Sequence, residues 1–362
     1  MVRLEDVCKK GSSGIAQKDL EGINGIYPVF GASGFIKNVD FFQQDKPYIA
    51  VVKDGAGVGR VMKLPANSSV IGTMQYIIPN DDINISYLEY ALESMNLAKY
   101  YTGATIPHIY FKDYRKEILP DYNWNEQCHI AGILDKVSNL IALRKQQLDK
   151  LDELVKARFV EMFGDVIRNN MNWPIFLLSD VADSRLGKML DAKQQTGQYR
   201  FPYLANFNVQ WFRFEIAELH KMDFDKADQK EFELKDGDLL VCEGGEVGRC
   251  AVWHNQVAPC YFQKALHRVR CNLEIIEPNY LSWWFKFHCD YNQFEDIVGS
   301  KATIAHLPGA KLKKLEVVVP PVELQRQFSS FIAHIEKCKL TTQQGLDKLE
   351  IMKKALMQQY LG

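Results

Sequence analysis

The sequence predicts the α+β class. It reads as two α/β domains separated by two long antiparallel coiled-coil helices, arranged as a pseudo-two-fold tandem repeat. Three observations carry this. The amphipathic segments "LDKLDELVKARFVEMFG" (148–164) and "LDKLEIMKKALMQQYLG" (346–362) align at an offset of 198. At the same offset "GATIPHI" (103–109) meets "KATIAHL" (301–307). Both halves also carry short β-branched runs broken by glycine-rich turns, "KDGAGVGRV" (53–61) and "CEGGEVGRC" (242–250). Self-similarity at a fixed offset marks a duplicated architecture.

Taken in order, residues 1–124 form a first domain, 125–164 a long helix, 165–322 a second domain and 323–362 a second long helix. The domain frames repeat and their middles do not. "RLEDV" (3–7) resembles "LLSDV" (177–181), "IYPVF" (26–30) resembles "RFPYL" (200–204), and "ISYLEYAL" (85–92) resembles "PNYLSWWF" (278–285). Both domains end on an apolar step into proline, "KEILP" (116–120) and "KKLEVVVP" (313–320). Gln127 then falls on Gln325, Ile130 on Phe328, Leu134 on Ile332 and Val137 on Ile335.

The glycine-rich turn raises a chemical question, because a strand running into spaced glycines can cradle phosphate. A phosphate loop opens directly into a helix whose first amides face the anion. Here "RVMKLP" (60–65) follows, which is β-branched and ended by proline. The second copy places Glu246 where an anion would sit. A hairpin turn that needs positive φ explains both copies without a ligand.

In the first long helix Ile130, Val137 and Leu151 share one heptad position, and Leu134, Ile141, Leu148, Val155 and Met162 the other. Ile133, Leu140, Leu154 and Phe159 widen the stripe, while Arg144 and Arg158 interrupt it. The second helix repeats this less regularly, with Lys339, Thr342, Gly345 and Lys353 as breaks. Nearly five heptads argue for a coiled-coil seam. About 34 helical residues span about 50 Å, or roughly 15 base pairs of duplex. Two such stripes in one chain bury each other when the helices run antiparallel.

Composition excludes more than it assigns. Of 362 residues, 44 are Lys or Arg and 45 Asp or Glu, a net charge of −1. The balance stays near neutral in every segment, so charge alone does not point to nucleic acid; sidedness or a partner must supply any phosphate grip. The eight cysteines include no Cys-x-x-Cys pair, and the histidines lack metal-ligand spacing. No secretory signal or apolar span is expected, which predicts a reduced, cytoplasmic protein. A methyltransferase would need an Asn/Asp-Pro-Pro-aromatic signature, and none is present.

At this point the chain resembles the specificity (S) subunits of Type I restriction–modification systems along essentially its whole length. The resemblance rests on "YPVFGASGFIKNVDFF" (27–42), "DGAGVGR" (54–60), "GATIPHI" (103–109) and "LPDYNWNEQCHIAGIL" (119–134). In the second half it rests on "FGDVIRNNMNWPIFLLSDVAD" (163–183), "FPYLANFNVQ" (201–210) and "PPVELQRQFSSFIAHI" (320–335). It implies that each globular domain is a target-recognition domain reading one half of a split DNA site. The helices would set the spacing and dock two methyltransferase (modification) subunits, which restriction (nuclease and translocase) subunits then join. It implies no catalytic residue, metal or cofactor in this chain; S-adenosylmethionine, ATP and Mg²⁺ would belong to the partners. Two other readings stay open from the residues: the specificity subunit of a fused nuclease–methyltransferase, and a coiled-coil scaffold that binds no DNA.

Guanine edges are read by Arg and Lys, adenine by Asn and Gln; Ser, Thr and basic groups hold phosphates. On that chemistry the first domain offers Ser33, Lys37, Asn38, Lys53, Arg60, Thr73, Gln75, Thr105 and His108 as DNA-binding residues. The second offers Arg185, Lys188, Asn206, Asn208, Gln210, Arg213, Arg249, Gln263, Lys264, His267, Lys301, Thr303 and His306. The repeated Thr105/Thr303 and His108/His306 fit equally well as hydrogen-bonded framework beside the helices.

Overall fold

The computed structural model describes residues 1–103, 106–190, 195–293 and 306–362. The chain divides into two compact units, Met1–Leu148 with Thr341–Gly362, and Asp149–Leu340.

The first unit contains β1 (Cys8–Ser12), β2 (Tyr27–Gly31), β3 (Gly34–Val39), β4 (Tyr48–Val52), β5 (Val61–Leu64), β6 (Ser69–Val70) and β7 (Met74–Pro79). An antiparallel sheet runs β1-β7-β4-β5, and a second runs β3-β2-β6 with β2 and β6 parallel. Helix α1 (Ile85–Ser94) packs its Tyr87, Leu88 and Ala91 on the first sheet with Ile49, Val51 and Ile77. Val2–Arg3 pairs with Ile118–Leu119, so the end of the domain closes on its start. Helix α2 (Trp124–Phe163) then begins, and its Ile130, Ala131 and Leu134 root in the same core.

The second unit repeats this frame. Its strands are β8 (Ala182–Leu186), β9 (Arg200–Leu204), β10 (Val209–Gln210), β11 (Arg213–Phe214), β12 (Lys221–Asp223), β13 (Leu239–Cys242), β14 (Cys250–Val252), β15 (Tyr261–Phe262) and β16 (Leu266–Cys271). Helices α3 (Lys226–Phe232) and α4 (Pro278–Asp290) belong to it, with the part of α2 from Asp149 onward and the part of α5 (Val322–Leu361) as far as Leu340. The antiparallel sheet β8-β16-β13-β14 matches β1-β7-β4-β5 strand for strand. A parallel pair recurs too: Tyr203 and Leu204 face Tyr261 and Phe262, as Val29 and Phe30 face Ser69 and Val70. Ile175–Leu177 pairs with Glu316–Val318, the counterpart of the closing pair in the first unit. The α3 helix and the β10-β11 hairpin belong to the divergent middle.

Each unit contains one stretch of antiparallel helix pairing. In the first, Lys145 meets Glu350 at 3.0 Å, and Leu361 joins the core that holds Ile130 and Leu134. In the second, Lys339 meets Asp152 at 2.6 Å, the Arg158 guanidinium lies 5.9 Å from the Phe331 ring, and Phe159 packs 5.5 Å from Phe328. The breaks at Arg144, Arg158, Lys339, Gly345 and Lys353 are thereby explained. Arg144 runs past Gly345, where a Cβ would lie 3.9 Å from its Nε. Lys339 and Lys353 reach carboxylates, the latter Glu93 at 3.1 Å. One expectation needs correction: Leu140 and Leu154 do not widen the seam but stay about half exposed, together with Leu143. Each helix buries one stripe only, so leucines on the opposite face stay in solvent.

The glycine-rich segments are hairpin turns. They join antiparallel β4 to β5 and β13 to β14. Gly59 has φ +85°, and a Cβ there would lie 2.5 Å from Ala98 N, so neither the conformation nor the space admits a side chain.

Candidate nucleic-acid interface

In the first domain, bonds around the glycine turn gather several expected residues. Arg60 Nη1 donates to Ala32 O at 2.8 Å, which places it beside exposed Ser33 in the β2-β3 turn. Lys53 N and Asp54 N both donate to Thr73 O, at 3.0 and 3.2 Å. Gly55 N donates to Pro107 O at 2.9 Å, and Ile109 N to Lys53 O at 2.9 Å, so the Ile-Pro-His-Ile segment (106–109) lies along the turn. His108 packs its ring 5.1 Å from Tyr110. Ser33, Lys53, Arg60, Thr73 and His108 thus form one cluster. Lys37 is drawn to a different place, where its Nζ donates to Leu20 O at 2.9 Å, and exposed Asn38 follows it on β3. Thr105 lies outside the described residues.

The second domain builds the equivalent lock. Arg249 Nη2 donates to Asn206 O at 3.0 Å; Asn206 follows β9 by the same two residues as Ala32 follows Phe30 in the matched frame. Glu246 fills the anion position of the turn: its carboxylate accepts from Arg249 Nη1 at 2.9 Å and from Trp211 Nε1 at 2.7 Å. Gln210 Nε2 donates to Phe207 O at 3.1 Å, and Arg213 projects 69% exposed beside Glu215. Gln263 N and Lys264 N donate to Leu204 O and Lys188 O, at 3.1 and 2.9 Å. His306 is exposed and bridges Gly244, as His108 bridges Asp54. Arg185 stands apart on edge strand β8, ion-paired with Glu231 of α3. Lys301 and Thr303 lie outside the described residues.

Five expected contacts are corrected by their surroundings. Gln75 is 1% exposed, and its amide donates to the Tyr114 hydroxyl. Asn208 is buried, accepting from Ala205 N and donating to Glu215 O, both at 2.9 Å. His267 is buried, with Nε2 2.8 Å from Leu307 O; burial pushes its pKa below the ordinary histidine value and the carbonyl opposes this. A carbonyl only accepts, so the proton sits on Nε2. Lys188 is mostly buried, bonded to Asp228 and to Asp223 O at 2.9 Å, with Phe224 5.4 Å beneath it. Arg249 is largely covered by the bonds described above. Each of these side chains satisfies a polar group inside the fold, as buried polar groups must.

Sequence reasoning missed the exposed aromatics Phe35, Tyr110 and Phe207, which border these clusters. It also missed the carboxylates that neutralise the second domain's cations. A base-reading surface uses aromatic as well as polar groups, so aromatics beside the glycine-rich turns and the repeated anchors were the available signal.

A family model described as the Type I restriction modification DNA specificity domain matches residues 1–153 and 170–350. The chain belongs to that family. Specificity subunits of this family are DNA-recognition components and not catalysts. A type I restriction enzyme specificity subunit of Methanocaldococcus jannaschii is 22% identical over 190 residues, 51% of this chain and 44% of that protein. One from Haemophilus influenzae is 22% identical over 339 residues, 90% of this chain and 84% of that protein. The crystal structure of the S subunit from M. genitalium superposes with a TM-score of 0.64 at 15% identity, covering 100% of this chain and 95% of that one. A chain from a study of complex assembly and conformational transition of the type I R-M system gives 0.56 at 14%, covering 99% and 96%. These two likenesses are of fold. No described helix of this specificity-family chain is long and apolar enough to cross a membrane.

Proposed function

We propose that this chain is the DNA-reading subunit of a Type I restriction–modification complex, with each globular domain reading one half of a bipartite site. The observation that supports this best is a duplicated frame carrying different loops. Sheets of identical order hold the same arginine-to-carbonyl lock, yet the segments between anchors differ in length and chemistry. A common frame with divergent loops suits two readers of unlike sequences.

The long helices would set the distance between half-sites. Each is 40 residues, hence about 60 Å. Their exposed Leu140, Leu143 and Leu154, with Leu340, Ile351 and Met352, offer apolar ground for two methyltransferase subunits. Restriction subunits would join that core in the cytoplasm. S-adenosylmethionine, ATP and Mg²⁺ would be held by those partners. The near-neutral charge fits this division: Arg185, Arg213 and Arg249 each face a carboxylate, so the methyltransferases would supply much of the phosphate grip.

The test is to map methylated positions in host DNA with and without this gene. A split motif with two unrelated halves, absent from the deletion strain, is expected. A continuous motif, or a methylation pattern unchanged by deletion, overturns the proposal. Copurification with one fused nuclease–methyltransferase chain would reassign the partner and keep the reader.

A further inference from the structure

The turn of the β10-β11 hairpin holds two aromatic residues, Trp211 and Phe212, and Phe212 has φ +62°. A bulky side chain at positive φ is a conformational outlier, and the second turn position normally takes glycine or asparagine there. Such strain persists only where surrounding contacts over-determine it. Here they do. Phe212 N donates to Cys250 O at 3.0 Å. The Phe212 ring stacks on Trp283 of α4, with centroids 4.6 Å apart and planes 15° apart. Its neighbour Trp211 donates to Glu246 at 2.7 Å and lies 5.2 Å under Lys286, also on α4. Both turn aromatics therefore grip the same helix.

Trp283 continues inward. Its ring lies 6.0 Å from Phe159 and 6.3 Å from Phe328, which sit fully buried on α2 and α5. The strained turn is thus joined to the two long helices through one layer of rings. On the outer side the turn is flanked by Gln210 and Arg213, paired across the hairpin. Those are two of the polar side chains the second domain offers to base edges. Among the described residues of the first domain the matching position differs: Tyr90, which matches Trp283 in the repeat, bonds Asp135 and Ser138 at 2.8 and 3.1 Å through its hydroxyl.

We infer that Phe212 is a positioning residue for recognition by the second domain. Its stack on Trp283 holds the β10-β11 turn in a strained conformation, so that Gln210 and Arg213 meet the duplex at a fixed place relative to the helices. This rests on the proposed reading of that hairpin as part of the DNA-contacting surface. Hydrogen bonds to base edges tolerate little misplacement, so loosening the turn lowers discrimination more than affinity.

The test uses the full chain coexpressed with its own methyltransferase, with methylated sites mapped genome-wide and the purified chain melted in urea. Phe212→Gly removes both ring and strain. It should keep the fold but raise methylation at sites carrying one mismatch in the half read by the second domain by about tenfold, with the other half unchanged. Phe212→Tyr and Phe212→Trp retain the stack and should restore fidelity, a rescue that mere loss of stability would not track. Should Phe212→Gly fail to fold, Trp283→Leu removes the stack from the helix side and should relax the same half. Unchanged fidelity in the folded Phe212→Gly chain, or equal relaxation of both halves, overturns the inference. If Arg213→Ala and Gln210→Ala also leave the motif intact, the reading of the hairpin as a DNA surface has failed. If those two relax the motif while Phe212→Gly does not, only the positioning role has failed.

Discussion

Gln127 accepts the backbone N–H of Asn84 at 2.8 Å and donates to Tyr122 O at 2.8 Å, tying the first turn of α2 to the N-cap of α1. Gln325 does the same one repeat later, accepting from Glu277 N at 2.9 Å and donating to Pro320 O at 2.7 Å. Both side chains are buried. One residue type at the same place in each repeat thus joins globular domain to long helix. Replacing Gln325 with Leu takes the acceptor from Glu277 N and the donor from Pro320 O and Ile275 O, which costs about 3 kcal/mol. The expected outcome is a lower urea midpoint with an unchanged methylation motif in the protein that remains folded.

Lys188 and Arg213 should separate stability from reading. Lys188→Ala removes a mostly buried cation from Asp228 and Asp223 O and should lower stability by about 2 kcal/mol. Arg213 is exposed, so Arg213→Ala should leave stability within about 0.5 kcal/mol and relax one half-site only. Denaturation and methylome mapping of both variants check this; equal loss at both halves would argue against one domain per half-site.

His267 gives a pH dependence with a definite sign. Burial holds its folded pKa below the ordinary value, so the unfolded chain binds the proton more tightly. Its contribution is present above about pH 6.5 and is lost as pH falls through the folded pKa. Urea midpoints should fall from pH 7 to pH 5, and His267→Gln should flatten that slope.

The exposed leucines of α2 should matter to assembly and not to folding. Leu143→Asp and Leu154→Asp are expected to reduce copurification with methyltransferase while the melting temperature stays within about 2 °C. Val155→Asp, one residue into the buried stripe, should unfold the second unit instead.

Inserting one heptad into α2 and one into α5 adds about 10 Å to each helix. The gap between half-sites should widen by about 3 base pairs with both half-sequences unchanged. An unchanged gap in the mapped motif would remove the spacing role.

Several features were legible in the residues because they are local or periodic. The hairpin nature of "KDGAGVGRV" followed from the proline-ended strand after it. The seam stripe through Ile130, Leu134 and Val137 followed from the heptad. Gln75 misled because β7 is central in its sheet and its first four residues are buried on both faces, so polar alternation no longer marks a solvent side. Leu140 and Leu154 misled because apolar character does not reveal which stripe of a helix finds a partner.

The sequence by itself determined a duplicated protein with two long amphipathic helices, since glycine turns, heptad periodicity and the fixed offset between Gln127 and Gln325 are patterns written along the chain. Only the tertiary structure decided which polar residues are free to meet DNA. Lys188 is answered by Asp228 and Arg185 by Glu231, partners about forty residues away. Phe212 keeps its strained backbone because Trp283 arrives from α4. Charge neutralisation and strain depend on which side chains the fold brings within a few ångströms, and no spacing in the sequence encodes that.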